Sequence, residues 1–219
     1  MPNGRPEQSE PAVVERADSR RKRRRLLAAA KVMVAEQGLD ISSAELAARA
    51  EVGVGTLYRR FGSKEALLEA TLLDVMLESN AAADRALAGT EPVRDLEEFL
   101  AALVEQWVSN RGLAEFIAGS DVYHSDVFVP HVTKIRDALA ELTARAQRVG
   151  SIREDVTWRD VLVLVQAAAS PVDVLGIMGT PAHWRRSLTV MLDGLAAKGR
   201  RTLPGEPPVD GPLAPRGGS

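Results

Sequence analysis

The 219-residue sequence predicts an all-α protein with a small N-terminal head and a larger helical body. Three observations carry that prediction. Apolar residues recur every three or four positions along most of the chain, and no stretch alternates as a half-buried strand would. Gly, Pro and hydroxyl residues punctuate the chain where helices should begin and end. In the head, residues 42–64 read SSAELAARAEVGVGTLYRRFGSK, which fits two short helices around a tight turn at Glu51-Val52-Gly53.

Residues 1–15 are polar, with three prolines and no periodicity, and read as a disordered tail. The head covers residues 16–62. It opens on the basic run Arg20-Arg21-Lys22-Arg23-Arg24-Arg25 and continues as an Ala-rich helix with Leu26, Ala30, Met33 and Gln37 on one stripe. Gly38 ends it. Ser42 is an N-cap candidate, and Glu45 three residues on completes a capping box. Gly53 can cap the next helix, which carries Val54, Leu57, Tyr58 and Phe61.

The body covers residues 63–199. Ser63 caps a helix whose apolar stripe, Leu67, Leu68, Leu72, Val75 and Met76, runs on to about Leu87. Gly89 to Pro92 breaks the pattern. Val93–Asn110 is helical, Leu113–Ala118 is a short piece, and Gly119–His124 is a polar loop. A longer helix is expected from about Asp126 to Val149. Thr157, with Asp160 at its third position, caps the helix from Trp158 to about Ala169, apolar nearly all round and so expected to be buried on several sides. Thr180-Pro181 should open the last helix, to about Lys198, with Trp184, Leu188, Met191, Leu192 and Leu195 on one face. Residues 200–219 hold 5 Pro and 4 Gly and read as a second disordered tail.

The net charge of −2 hides a strong asymmetry. From Arg16 to Lys64 the chain carries 12 basic and 5 acidic residues, a net of +7, leaving −9 for the rest. A basic head on an acidic body is expected where one part meets nucleic acid and the other does not. Arg outnumbers Lys 23 to 5, so the clustering of the cations, not their type, is the signal. With no Cys in the chain, thiolate metal sites, disulfides and Cys nucleophiles are excluded. No apolar run is long enough to span a membrane, and the N-terminus lacks the apolar core of a secretory signal, so a cytoplasmic protein without membrane partners is expected.

The pattern Leu46-Ala47-x-x-Ala50-x-Val52-x-Val54-Gly55-Thr56-Leu57-Tyr58-x-x-Phe61-x-Ser63-Lys64-Glu65-x-Leu67-Leu68 resembles the DNA-binding signature of TetR-family transcriptional regulators. Two positions depart from it. The family usually has Gly where this chain has Glu51, at a turn that favours a left-handed backbone, and often His where this chain has Arg60. Further on, Gly150-x-Ile152-Arg153-x-Asp155-Val156 and Leu192-Asp193-Gly194-Leu195 look like the SbtR-like subgroup. The resemblance implies an N-terminal three-helix helix-turn-helix domain joined to a C-terminal helical domain for ligand binding and dimerisation. It further implies a homodimer on palindromic double-stranded operator DNA, usually as a repressor, released by a small effector.

On that basis the DNA-binding candidates are Arg23, Arg24, Ser43, Gly53, Val54, Gly55, Thr56, Tyr58, Arg59, Arg60 and Lys64. Gly55 lets a DNA backbone come close, and Thr56 can bond a phosphate or a base edge. The resemblance assigns phosphates to Tyr58 and Arg60. Arg59 is suited either to guanine, through two parallel hydrogen bonds, or to one more phosphate. Val54 can touch a thymine methyl or pack beneath its helix. Lys64 opens a helix, where backbone N–H groups also favour a phosphate.

In the body, Trp107, Phe116, Tyr123, His124 and Phe128 gather on the middle helices, and Gln166 and Asp173 each interrupt a very apolar segment. These seven are the effector-binding candidates, for a small and largely apolar molecule; on pattern alone an aromatic or His on an apolar stripe is more often a core residue than a ligand contact. Val161, Val165, Trp184, Leu188, Met191, Leu192 and Leu195 are the dimer-interface candidates. His124 and His131 stand two helical turns apart, too far for joint ligation from one continuous helix, so neither a metal nor another cofactor is expected. No catalytic constellation is present, which sets a helical enzyme behind two readings: an effector-released regulator, and a regulator without effector.

Overall fold

The computed structural model describes residues 10–119, 125–197 and 201–211. The order is α1 (Glu10–Gln37), α2 (Ser43–Arg49), α3 (Val54–Phe61), α4 (Lys64–Ala88), α5 (Pro92–Ser109), α6 (Arg111–Ala118), α7 (Val129–Arg148), α8 (Trp158–Ala169), β1 (Asp173–Val174), β2 (Ile177–Met178) and α9 (His183–Leu195). Tyr123 and His124 lie outside the described residues.

Most helix ends follow local chemistry. Ser42 with Glu45, and Thr157 with Asp160, form complete capping boxes. Ser63 Oγ accepts from the Ala66 N–H at 3.0 Å, and Pro92 occupies the first turn of α5. Gly38 leaves α1 with φ of 88°. Four ends differ from expectation. Helix α1 already begins at Glu10, inside the stretch read as a disordered tail, because Glu10–Arg16 continue the same helical run. Helix α7 starts at Val129 rather than near Asp126, since Ser125–Phe128 form a turn with the Val129 N–H on the Ser125 carbonyl at 2.9 Å. Thr180-Pro181 does not cap α9; the Thr180 carbonyl accepts the His183 N–H at 3.0 Å in a preceding turn, and no side chain caps the helix. Nor does α9 reach Lys198. Leu195 gives its carbonyl to the Arg153 N–H at 3.0 Å, and Ala197 donates to the Ser151 carbonyl at 3.1 Å, so pairing with the segment after α7 ends the helix.

The sequence showed no strand, yet Asp173–Val174 pairs antiparallel with Ile177–Met178. Leu175 and Gly176 make the connection, with φ of 53° and 77°. Positive φ at both central residues is the hairpin turn that matches strand twist. Two-residue strands are too short to show alternation.

Two apolar clusters organise the helices. One joins Leu26, Ala30, Met33 and Val34 of α1, Leu46 and Leu57 of the helix-turn-helix, the first half of α4 through Met76, Leu113 of α6 and Phe128. The other holds Ala82, Ala83 and Ala86 from the second half of α4, with Phe99, Leu103, Leu139, Leu142, Val161, Val165, Trp184, Leu188 and Leu195. Helix α4 therefore belongs to both, and the head core does not stop at residue 62. It continues into α6, where a Cβ on Gly112 would stand 2.3 Å from Val34 Cγ1.

Residues 201–211, read as part of a disordered tail, have no helix or strand but lie against the body. Asp210 pairs with Arg136 and Arg159, and Asp155 accepts the Leu203 N–H at 3.2 Å. The Arg153 guanidinium beside Asp155, aided by that N–H, holds the Asp155 carboxyl down to about 2.

Candidate nucleic-acid interface

The helix-turn-helix is built from short-range bonds. Ser42 N–H donates to Glu45 Oε2 at 2.9 Å, and the Glu45 N–H donates to Ser42 Oγ at 3.2 Å. The Ser42 hydroxyl and N–H hold the Glu45 carboxyl below the usual glutamate range. The turn places Glu51 at φ of 51°, the left-handed backbone anticipated there, and the Val52 N–H closes on the Ala47 carbonyl at 2.9 Å. Leu46, Ala47, Ala50 and Leu57 are buried, so α2 and α3 pack on α1 and α4 by their apolar faces.

That packing turns the other face of α3 outward. Val54 and Tyr58 are 38% and 48% exposed, Gly53, Gly55 and Arg59 are exposed, and Thr56 is half-buried. The space a Cβ on Gly53 or Gly55 would enter is open to at least 4 Å. Val54 thus faces solvent rather than the core. Tyr58 Oη lies 3.1 Å from Ser43 Oγ, joining α3 to the start of α2, and Arg59 donates to Thr56 Oγ1 at 3.3 Å. Arg60 is half-buried with its Nε unpartnered, and Lys64 stands in the first turn of α4 behind Ser63.

The basic run divides by role. Arg25 is tied to the turn, bonding the Glu51 carboxylate and its carbonyl. Arg21 and Lys22 pair with Asp18 at 2.7 and 2.6 Å. Arg23 lies over the Phe61 ring at 4.8 Å and remains exposed, as does Arg24. Among the described residues no ion pair engages Arg24, Arg59, Arg60 or Lys64. Only the contact across 26 residues shows that Arg25 belongs to the turn.

The body redistributes its candidates. Phe128 is buried and meets Phe116 edge-on, with ring centroids 4.6 Å apart. Trp107 is half-buried against both clusters. Gln166 and Asp173 are exposed, on the outward side of α8 and on β1, so water satisfies them and the argument from burial does not hold. Val161, Val165, Trp184, Leu188 and Leu195 are at most 6% exposed in the single chain, leaving no surface for a partner. Met191 and Leu192 are half-buried, and the outward faces of α8 and α9 carry Val163 at 51% and Val190 at 65% exposure. Two of the buried polar residues, Ser79 and Asn80 on α4, were not singled out in the sequence. They continue the stripe Leu72-Val75-Met76 toward Ala83, and a polar pair at such positions was a legible signal.

An outward helix beside unpaired cations, on a head with excess positive charge, suits a phosphate-lined major groove. The fold and this surface define a helix-turn-helix DNA-binding protein. Comparison narrows the class. The model of bacterial regulatory proteins of the tetR family matches residues 26–71, and that of the SbtR-like transcriptional regulator C-terminal domain matches residues 91–197. The chain is 30% identical over 138 residues to the HTH-type transcriptional repressor KstR of Mycobacterium tuberculosis, covering 62% of this chain and 63% of that protein. It is 30% identical over 167 residues to KstR of Mycolicibacterium smegmatis, covering 71% and 82%. A TetR transcriptional regulator of Streptomyces coelicolor has a similar structure, with TM-score 0.58 and 28% identity over 81% of this chain and 99% of that one. So does a TetR regulatory protein of Mycobacterium vanbaalenii, with TM-score 0.55 and 30% identity over 83% and 99%. The chain belongs to the TetR family of transcriptional regulators, which are DNA-binding proteins and not enzymes. No helix among the described residues is long and apolar enough to cross a membrane.

Proposed function

We propose that this protein is a repressor that binds a palindromic operator as a homodimer and leaves it when a small, largely apolar effector binds the body. The observation that carries the reading is the outward face of α3, where Gly55, Tyr58 and Arg59 stand exposed, with Lys64 three residues beyond the helix and Arg23 over the Phe61 ring. Two curated relatives are repressors, which supports repression over activation. A palindrome needs two copies whose recognition helices lie about one helical turn apart, ~34–36 Å. The outward sides of α8 and α9, with Leu162, Val163, Val190 and the rims Met191 and Leu192, offer the apolar surface for pairing. Helix α4 shares both cores, so a change of packing in the body reaches α3 through it. An effector that binds better to another helix spacing then weakens operator binding by the same coupling energy.

Operator selection from random duplexes tests this. The expected result is an inverted repeat bound with steep salt dependence, by a dimer in sedimentation. Lys64→Ala should weaken all sequences alike, whereas Arg59→Ala should also relax preference at one base pair per half-site, at about 1–3 kcal/mol. Binding without preference over random DNA at moderate salt sinks the operator reading, and a folded monomer at micromolar concentration sinks the dimer.

A further inference from the structure

The seam between the two apolar clusters is polar. On α4, the residues facing one cluster end at Met76 and those facing the other begin at Ala82. Between them Ser79 and Asn80 are 4% and 6% exposed. Gln106 of α5 serves Ser79: its Oε1 accepts from the Ser79 hydroxyl, and its Nε2 donates to the Val75 carbonyl at 3.0 Å. Asn80 turns to α7 instead, where its Nδ2 lies 2.7 Å from His131 Nδ1. Its Oδ1 is buried and has no partner.

An orphaned buried carbonyl of this kind destabilises the fold unless something bonds it. Thr143 Oγ1 in the body core is unpartnered too, but it does not lie on the α4 seam. At Asn80 the surroundings are different. Trp107 follows Gln106 in the chain, Ile135 lies one turn beyond His131, and among the described residues these two side chains pack against both clusters. Phe116 and Phe128 stand at the head side of the same seam, in the cluster that also takes Trp107 and Ile135.

We infer that Asn80 and His131 form the polar end of a ligand site at this seam, built for an uncharged, mainly apolar molecule that bears a hydroxyl group. The inference deepens the effector reading and rests on it. The polar groups here are amides, a hydroxyl and an imidazole; no carboxylate, Lys or Arg takes part in these bonds, so a charged ligand would lose its hydration without compensation. The unpaired atom calls for a donor. A hydroxyl also answers the rotated amide, in which Oδ1 meets His131 and the unpaired atom is a donor, since a hydroxyl both donates and accepts. The rest of the ligand meets rings and aliphatic groups, as in most small-molecule sites. Because α4 carries Asn80 and also anchors the head, a ligand at this point bears directly on the helix that joins the two cores.

The test uses matched pairs that differ by one hydroxyl: 2-naphthol against naphthalene, and 4-phenylphenol against biphenyl. Equilibrium dialysis with the full chain should show the hydroxyl member of at least one pair bound about tenfold tighter. Asn80→Leu should remove the preference while the variant melts cooperatively; if it does not fold, Asn80→Ala reads the same quantity. Gln166→Leu, on the outward side of α8, should leave the preference intact. Wild-type protein that binds no member, or both members of each pair alike, overturns the site, as does a preference that survives in the folded Asn80 variants. Operator binding is followed separately with the same compounds. A hydroxyl preference without any change in operator affinity upholds the site and rejects the effector role instead.

Discussion

On α3 the polar groups that matter are exposed: Tyr58 is 48% accessible, and Arg59 reaches no further than Thr56. On α4 the corresponding group, Asn80, is 6% accessible and half satisfied. The head offers charge to a large anionic partner, and water keeps those cations content until it arrives. The body keeps the Asn80 amide oxygen from water, and the proposed ligand site rests on that atom. A surface site of the first kind tolerates substitution with little cost to folding; a buried one of the second kind ties recognition to packing. The head is marked by a sequence motif, and the α4 seam by a buried amide oxygen without a partner.

Substitutions can sharpen that contrast. The largest effect is expected from Gly55→Asp. A Cβ there meets nothing within 4 Å, so the fold should melt as before. A carboxylate facing DNA should nevertheless cost several kcal/mol of operator affinity, about 100-fold or more, by anisotropy titration. A change in melting temperature with intact operator binding would show that the outward face of α3 is not the contact surface.

Gly112→Ala strikes the joint between the two regions. Its new methyl would meet Val34 Cγ1 at 2.3 Å and the Val34 carbonyl at 2.9 Å, prising α6 from α1. Overpacking of this kind costs about 1–3 kcal/mol, to be read from denaturant melts. Unchanged stability would mean that α6 and α1 are not in close contact in solution.

Glu51 separates strain from charge. Glu51→Gly removes the left-handed penalty but also the pair with Arg25; Glu51→Ala loses the pair and keeps the strain. Gly should therefore be more stable than Ala at this position by about 1 kcal/mol. Equal stability would place the turn in another backbone conformation.

The smallest effect concerns Glu115, whose carboxylate accepts the Leu39 N–H at 2.9 Å and pairs with Arg111 at 2.7 Å. First that N–H, then Arg111, holds its pKa below the ordinary glutamate value. A lowered carboxyl pKa stabilises the folded chain above the ordinary value and loses that contribution as pH falls through the lowered one. Glu115→Gln should flatten the acid limb of a stability–pH profile slightly. An identical limb in both proteins would remove Glu115 from the linkage.

Much of this was written locally. The capping boxes at Ser42 and Thr157, the left-handed turn at Glu51 and the outward α3 follow from residues within a few positions of one another, and so the chain predicts them from its own spacing. The helical body follows from the same periodicity. Which side of each helix is inward does not. A stripe of Trp184, Leu188 and Leu195 is apolar whether it meets its own core or a second copy, and only the packing of α9 on α8 and α5 assigns it to the core. Gln166 and Asp173 stood out as breaks in apolar segments, yet a break on an exposed face has water for a partner. Asn80 was equally visible in the α4 stripe, but its meaning depends on His131, 51 residues away, and on what that contact leaves unpaired. Periodicity is a property of one helix, whereas satisfaction of a buried polar atom is a property of every element around it. The first is settled along the chain; the second only once the helices meet.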